Sequence, residues 1–177
     1  MVELSVVRDL VAIFGVIAGF SYYVIVVNNT RKNQQLQLET RQAQLFSQFM
    51  FQFFTTEFIK QYFDLFEMDW DDYDDYWKKY SLFSNPDAYC YRHRLHEMLN
   101  LLGTYVKNDL IEVHLINQSI GGVVVRIWPK WRNIIEHERL HMYTPNYMED
   151  FEYLYHEVIK YREKVGQEID SNFGARE

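Results

Sequence analysis

The sequence predicts an all-α protein: a single N-terminal transmembrane helix that continues into a stalk and then into a cytoplasmic helical bundle. Three observations lead there. The run Leu10 to Val27, LVAIFGVIAGFSYYVIVV, carries no charged residue and reaches about 27 Å as a helix, close to the hydrocarbon thickness of a bilayer. Beyond it, apolar residues recur at spacings of three and four rather than two, the signature of helices with one buried face. The β-branched stretch VVVRIW, Val123 to Trp128, has no second strand to pair with, so it too is assigned to a helix.

The first element is the span itself. Its only polar side-chain atoms are the hydroxyls of Ser21, Tyr22 and Tyr23, fewer than a buried helix of a soluble protein normally keeps. The residues before it are nearly neutral (Glu3, Arg8, Asp9) and no A-x-A-like site closes it, which points to an uncleaved anchor rather than a signal peptide. Arg8 stands alone on the N-terminal side against Arg31, Lys32 and Arg41 on the other. The positive-inside rule then puts the N-terminus outside and the body in the cytoplasm, giving a single-pass protein of the cell membrane. One cysteine, Cys90, permits no internal disulfide and agrees with a reducing compartment; the sequons at Asn28 and Asn117 would be idle there. Within the span, Gly15 and Gly19 form a G-x-x-x-G pair, which lets two helix backbones approach and marks them as candidate membrane-helix packing residues.

Composition narrows the partners. A net charge of −7 argues against a nucleic-acid surface, which needs clustered Lys and Arg to displace counterions. Aromatic residues make up 18% of the chain, giving large buried areas from few positions and aromatic surface for a contact. The expected partners are the lipid bilayer and a protein, either another species or a second copy of the chain.

The domain plan that follows is a short flank (1–9), the span (10–27), a polar helical stalk (28–44), a helical bundle of five or six helices (45–166) and a disordered tail (167–177). The stalk, rich in Gln, Arg and Glu with no Gly or Pro, continues the helix out of the membrane. From Leu45 to Phe66 the apolar residues become dense and predict one central helix buried on most sides. Asp69 to Phe83 places five Asp ahead of Lys78 and Lys79, the order the helix dipole favours, and predicts a short helix; calcium is disfavoured because an EF-hand loop needs a central Gly. Ser84-Asn85-Pro86-Asp87 is a helix start, and the helix after it turns Leu95, Leu99, Leu102 and Val106 to one face and Arg92, His93, His96, Glu97 and Asn100 to the other. His93 and His96 on a solvated face are read as solvent-exposed side chains rather than ligands. A break at Lys107-Asn108-Asp109 precedes a short helix to about Gly121-Gly122. A longer one follows from there to about Met142, kinked or restarted at Pro129. Thr144-Pro145-Asn146 makes the last turn, and Tyr147 to Lys164 the last helix, ended by Gly166.

One motif carries chemistry. His137-Glu138-Arg139-Leu140-His141 spells H-E-x-x-H, which in zinc proteases supplies two metal ligands and a general base. The context argues otherwise: a charged Arg139 sits where that helix is usually uncharged, and no strand-rich segment precedes it. No third ligand stands at a characteristic spacing, although Glu149, Asp150, Glu152 and His156 lie on the next helix. His137 and His141 stay as candidate metal ligands, no cofactor is assigned, and only one Glu-x-x-His is present where a di-iron bundle needs two. Cys90 lacks an activating base. The preferred function is therefore a non-enzymatic, membrane-anchored interaction or scaffold protein; the alternative is a membrane-tethered zinc hydrolase centred on His137, Glu138 and His141.

Leu99, Leu102 and Gly103, then Val106 and Leu110, Ile127-Trp128, and Phe151-Glu152-Tyr153-Leu154 together resemble a family of short bacterial and archaeal proteins known only as a domain of unknown function. The resemblance implies an N-terminal span, a Gln-rich stalk and a cytoplasmic helical body. It implies no activity, cofactor or catalytic residue, and does not require His137 or His141. The aromatic density from Phe46 to Phe66, and Pro129 after the Trp, depart from it.

Overall fold

The computed structural model describes residues 4–168 and is all-α among them, with seven helices in the order α1 (Leu4–Phe53), α2 (Thr56–Glu67), α3 (Tyr73–Tyr80), α4 (Pro86–Lys107), α5 (Val113–Ser119), α6 (Gly121–His141) and α7 (Glu149–Val165). The chain divides into two compact units between Gln44 and Leu45. The expected tail lies, from residue 169 onward, outside the described residues, as does 1–3 of the N-terminal flank.

The first unit is the greater part of α1. It is long and apolar enough to cross a membrane, and none of its most apolar stretch is buried. Phe14 and Phe20, for instance, are 68% and 69% exposed. Past the apolar stretch the helix satisfies itself locally: Thr30 Oγ1 donates to the Val26 carbonyl at 2.8 Å, Thr40 Oγ1 to that of Leu36 at 2.7 Å, and Gln35 reaches Glu39 one turn on at 3.1 Å. The Gln35–Glu39 pair supports the helix, while the two threonine hydroxyls are satisfied on carbonyls one turn back.

The second unit holds the core. Leu45, Phe46, Phe49 and Met50, in the last turns of α1, pack partly buried against it, and Phe53 is fully inside. The expected single helix from Leu45 to Phe66 is in fact two. Thr55, in an extended conformation, caps α2 by accepting the Phe58 amide, so the chain turns although its apolar pattern runs on. Nor is α2 buried on most sides. Phe58 and Leu65 face the core while Ile59 and Phe63 face out.

α4 is the central element, packing against α2, α3 and α7, while α6 and α5 pack on α7. Asn85 caps α4 through the Ala88 amide with Pro86 in its first turn, as the sequence predicts. α4 and α7 approach most closely at Gly103, where an added Cβ would lie 1.8 Å from the Asp150 carbonyl oxygen. Only glycine fits there. Around that point Thr104 Oγ1 donates to Asp150 at 2.6 Å, Lys107 Nζ to Asp150 and Glu149 at 2.7 and 3.0 Å, and Asn100 Oδ1 accepts the Phe151 amide at 3.0 Å. Met148, the residue before α7, has a left-handed backbone and no side-chain cap of its own; Asn100 of α4 supplies one from across the interface.

α6 runs through Pro129 as one helix, and Val123 to Trp128 are helical as expected. The helix neither stops nor restarts at the proline, which lies on the exposed face. Its buried side, with Val124, Ile127, Trp128, Trp131 and Ile135, forms the second wall of the core. At the far end Arg162 donates to Asn117 Oδ1 at 2.6 Å and Asn117 to Gln167 at 2.9 Å, closing α5 onto α7. Asn117, the second sequon, is thus buried.

Candidate functional site

The chemistry-bearing residues gather where α3, α4 and α6 meet. A helix places residues i and i+4 on one face and turns residue i+1 about 100° away, so the H-E-x-x-H of α6 splits. His137 and His141 lie together on the outer side, their ring centroids 4.4 Å apart. Glu138 turns inward and is buried.

Glu138 meets Arg92 there. Arg92 Nη1 donates to both carboxylate oxygens, at 2.9 and 3.0 Å, and each side chain is 1% exposed. The guanidinium carbon also lies over the rings of Tyr89, Tyr76 and Trp131 at 5.4, 5.5 and 5.8 Å, so a box of aromatic faces surrounds the cation where solvent would otherwise be. Burial pushes the Glu138 carboxyl above its ordinary value, and the adjacent guanidinium opposes that rise. Burial likewise raises the Tyr76 and Tyr147 hydroxyls beside it, keeping both phenols protonated.

His96, one turn beyond Arg92, is fully buried. Its ring lies edge-on to Trp131 at 5.2 Å and tilted toward Phe151 at 5.8 Å, and neither nitrogen has a hydrogen-bond partner among the described residues. Burial first, and the charge of Arg92 second, hold it well below the usual imidazole range. It is a neutral core residue. The sequence assigned Arg92 and His96 to the solvated face of α4, and both are instead in the centre of the core. The signal was available, because Ala88, Arg92, Leu95 and Leu99 follow the four-three-four spacing of the buried stripe, and Glu138 continues the stripe of Trp131, Ile134 and Ile135. Opposite charges in the apolar stripes of two helices imply one another.

The outer histidines have other company. The Tyr73 ring stacks on His137, centroids 3.7 Å apart and 14° from parallel, while its hydroxyl donates to the Met142 sulfur at 2.8 Å. Burial holds the Tyr73 phenol up at about 12, so it is a donor at neutral pH. The carboxylates proposed to complete a metal site are engaged elsewhere: Glu149 and Asp150 with Lys107, Glu152 with Arg139 at 2.7 Å. His156 is exposed beside Tyr155. Among the described residues no three of His, Cys, Asp and Glu come together to hold a metal ion. The Asp-rich stretch is likewise spent on structure, with Asp72 capping α3 and Asp75 paired to Lys79 at 2.6 Å. Cys90 is exposed. Gly15 and Gly19 sit on α1 with open space around them, nothing lying within 4 Å of an added Cβ.

The family model described as "Domain of unknown function (DUF4760)" matches residues 10–158. The chain belongs to this family. The DUF4760 match takes in the apolar part of α1, the buried Arg92–Glu138 pair and both outer histidines, and ends within α7. The search of curated proteins and the search of solved structures return no match to this chain.

Proposed function

We propose that this DUF4760 protein is a non-enzymatic membrane-anchored interaction module, held in the bilayer by Leu10–Val27 with its helical body in the cytoplasm. One observation carries the proposal: an uncharged stretch of bilayer length in α1, none of which is buried. Placing such a surface in lipid removes the apolar area from water. The orientation rests on Arg31, Lys32 and Arg41 outnumbering Arg8. The body adds support by committing its ionisable residues to packing: Glu138 faces Arg92 rather than the imidazoles, so a hydrolase built on this motif would have to break a buried ion pair to free its base.

Within the span, Gly15 and Gly19 form the face on which a second copy packs. Labelling of single cysteines placed at Val2 and at Gln34, in a Cys90→Ser background on intact cells, tests the orientation; only the first is expected to react with an impermeant reagent, and labelling of the second alone would reverse it. Crosslinking in native membranes tests the association. A dimer that Gly15→Leu and Gly19→Leu each abolish is expected, and a monomer would remove the self-association. Metal analysis bears on the hydrolase, since zinc at one per chain that disappears in His137→Ala would overturn the non-enzymatic role.

A further inference from the structure

The outer half of the H-E-x-x-H has a third neighbour that zinc chemistry does not use. His137 and His141 present two imidazoles on one face of the last turn of α6, rings 4.4 Å apart. Met142 follows at once as the helix cap, its backbone N–H tied to the Glu138 carbonyl at 2.9 Å. Tyr73 reaches both sides of the group from α3, stacking on His137 with its ring and donating to the Met142 sulfur with its hydroxyl. The thioether is thereby held against the same residue that holds the first imidazole, by a contact between helices far apart in sequence.

We propose that His137, His141 and Met142 form a binding site for a soft monovalent metal ion of the Cu(I) class. Thioether sulfur is a ligand that Cu(I) accepts and that Zn(II), Mg(II) and Ca(II) pass over for harder donors. Those harder donors are withdrawn here, with Glu138 on Arg92, Glu152 on Arg139, and Glu149 and Asp150 on Lys107. Three neutral ligands suit an ion of single charge, which needs less compensating charge than a divalent one. The hydroxyl of Tyr73 occupies one lone pair of the sulfur and leaves the other for the ion. His141 and Met142, the latter 46% exposed, open the group to solvent, so an ion can enter without unfolding.

The test uses the full chain in detergent, carrying Cys90→Ser so that the exposed thiol does not compete, titrated anaerobically with Cu(I) against the chromophoric chelator bicinchoninate. One Cu(I) per chain is expected. Met142→Leu and His141→Ala, both at exposed positions, should each weaken it by about tenfold or more while leaving the thermal unfolding profile in place, and X-ray absorption should show a copper–sulfur distance that Met142→Leu removes. No Cu(I) retained against the chelator would overturn the proposal. So would binding indifferent to Met142→Leu, which would assign the ion to histidines alone, or tighter retention of Zn(II) than of Cu(I) at these residues.

Discussion

Glu138 and Arg92 are where a single residue matters most. Both charges are buried, and each depends on the other: Nη1 spans the two carboxylate oxygens at 2.9 and 3.0 Å inside a ring of Tyr76, Tyr89 and Trp131. Removing one partner leaves the other desolvated and alone, so Arg92→Met is expected to destabilise the bundle by about 3–5 kcal/mol. The double variant Arg92→Met with Glu138→Leu should recover most of that loss, since both charges are then gone. Thermal or denaturant unfolding of the detergent-solubilised chain measures these variants beside Glu138→Leu alone; a double variant that loses the sum of the two single losses would show that the pair is not coupled.

His96 makes a pH prediction at the same scale. Its folded value is depressed below the ordinary imidazole value by burial and by Arg92, with His93 adding to the effect, while Trp131 and Phe151 close the remaining sides. Below about pH 6.5 the unfolded chain takes up a proton at this position and the folded chain does not. Stability is therefore full above that value and falls as the pH drops below it, by up to about 1.4 kcal/mol per pH unit. Glu138, raised by burial, works in the opposite sense at acid pH, so the parent is compared with His96→Phe, in which the Glu138 contribution is shared. The variant should lose less stability than the parent between neutral and mildly acidic pH. An unchanged slope would mean that His96 is not a proton-excluding core residue.

Among the elements, the α4–α7 contact sets the bundle. Gly103 allows the two backbones to meet, since a Cβ there would sit 1.8 Å from the Asp150 oxygen. Gly103→Ala must push α7 outward and strain the Asn100, Thr104 and Lys107 bonds that cross the same interface, at an expected cost of about 3 kcal/mol. Thr55→Ala, which removes the cap of α2, should cost about 1 kcal/mol. Unfolding midpoints separate the two, and an equal effect would contradict the central place given to Gly103. Local signals made much of this level readable in the sequence. Asn85-Pro86 starts α4 and Gly166 ends α7 because capping involves only neighbours in the chain. The turn at Thr55 was hidden because apolar spacing continues across it, and one cap outweighs periodicity only once tertiary packing selects the bend. The inward turn of Arg92 and His96 is written in the spacing, but two signals compete there. Charge type suggested solvent, whereas their position in the stripe, and the complementary Glu138 on α6, decided for the core.

At the scale of the whole molecule, the chain comprises two units, the apolar-to-polar part of α1 and a helical body that begins at Leu45. The all-α class was legible from period and length alone, as both survive without knowledge of contacts. The site was less so: H-E-x-x-H is visible as a string, but only the fold shows that its carboxylate and its imidazoles point to opposite sides of α6. Membrane attachment through Leu10–Val27 is the claim on which the proposed role rests. Fractionation of cells expressing the full chain, with an alkaline carbonate wash followed by detergent, tests it most directly. The account predicts a chain of unshortened mass that stays with the membranes through the wash and is released by detergent; recovery in the soluble fraction, or of a chain that has lost Leu10–Val27, would contradict it.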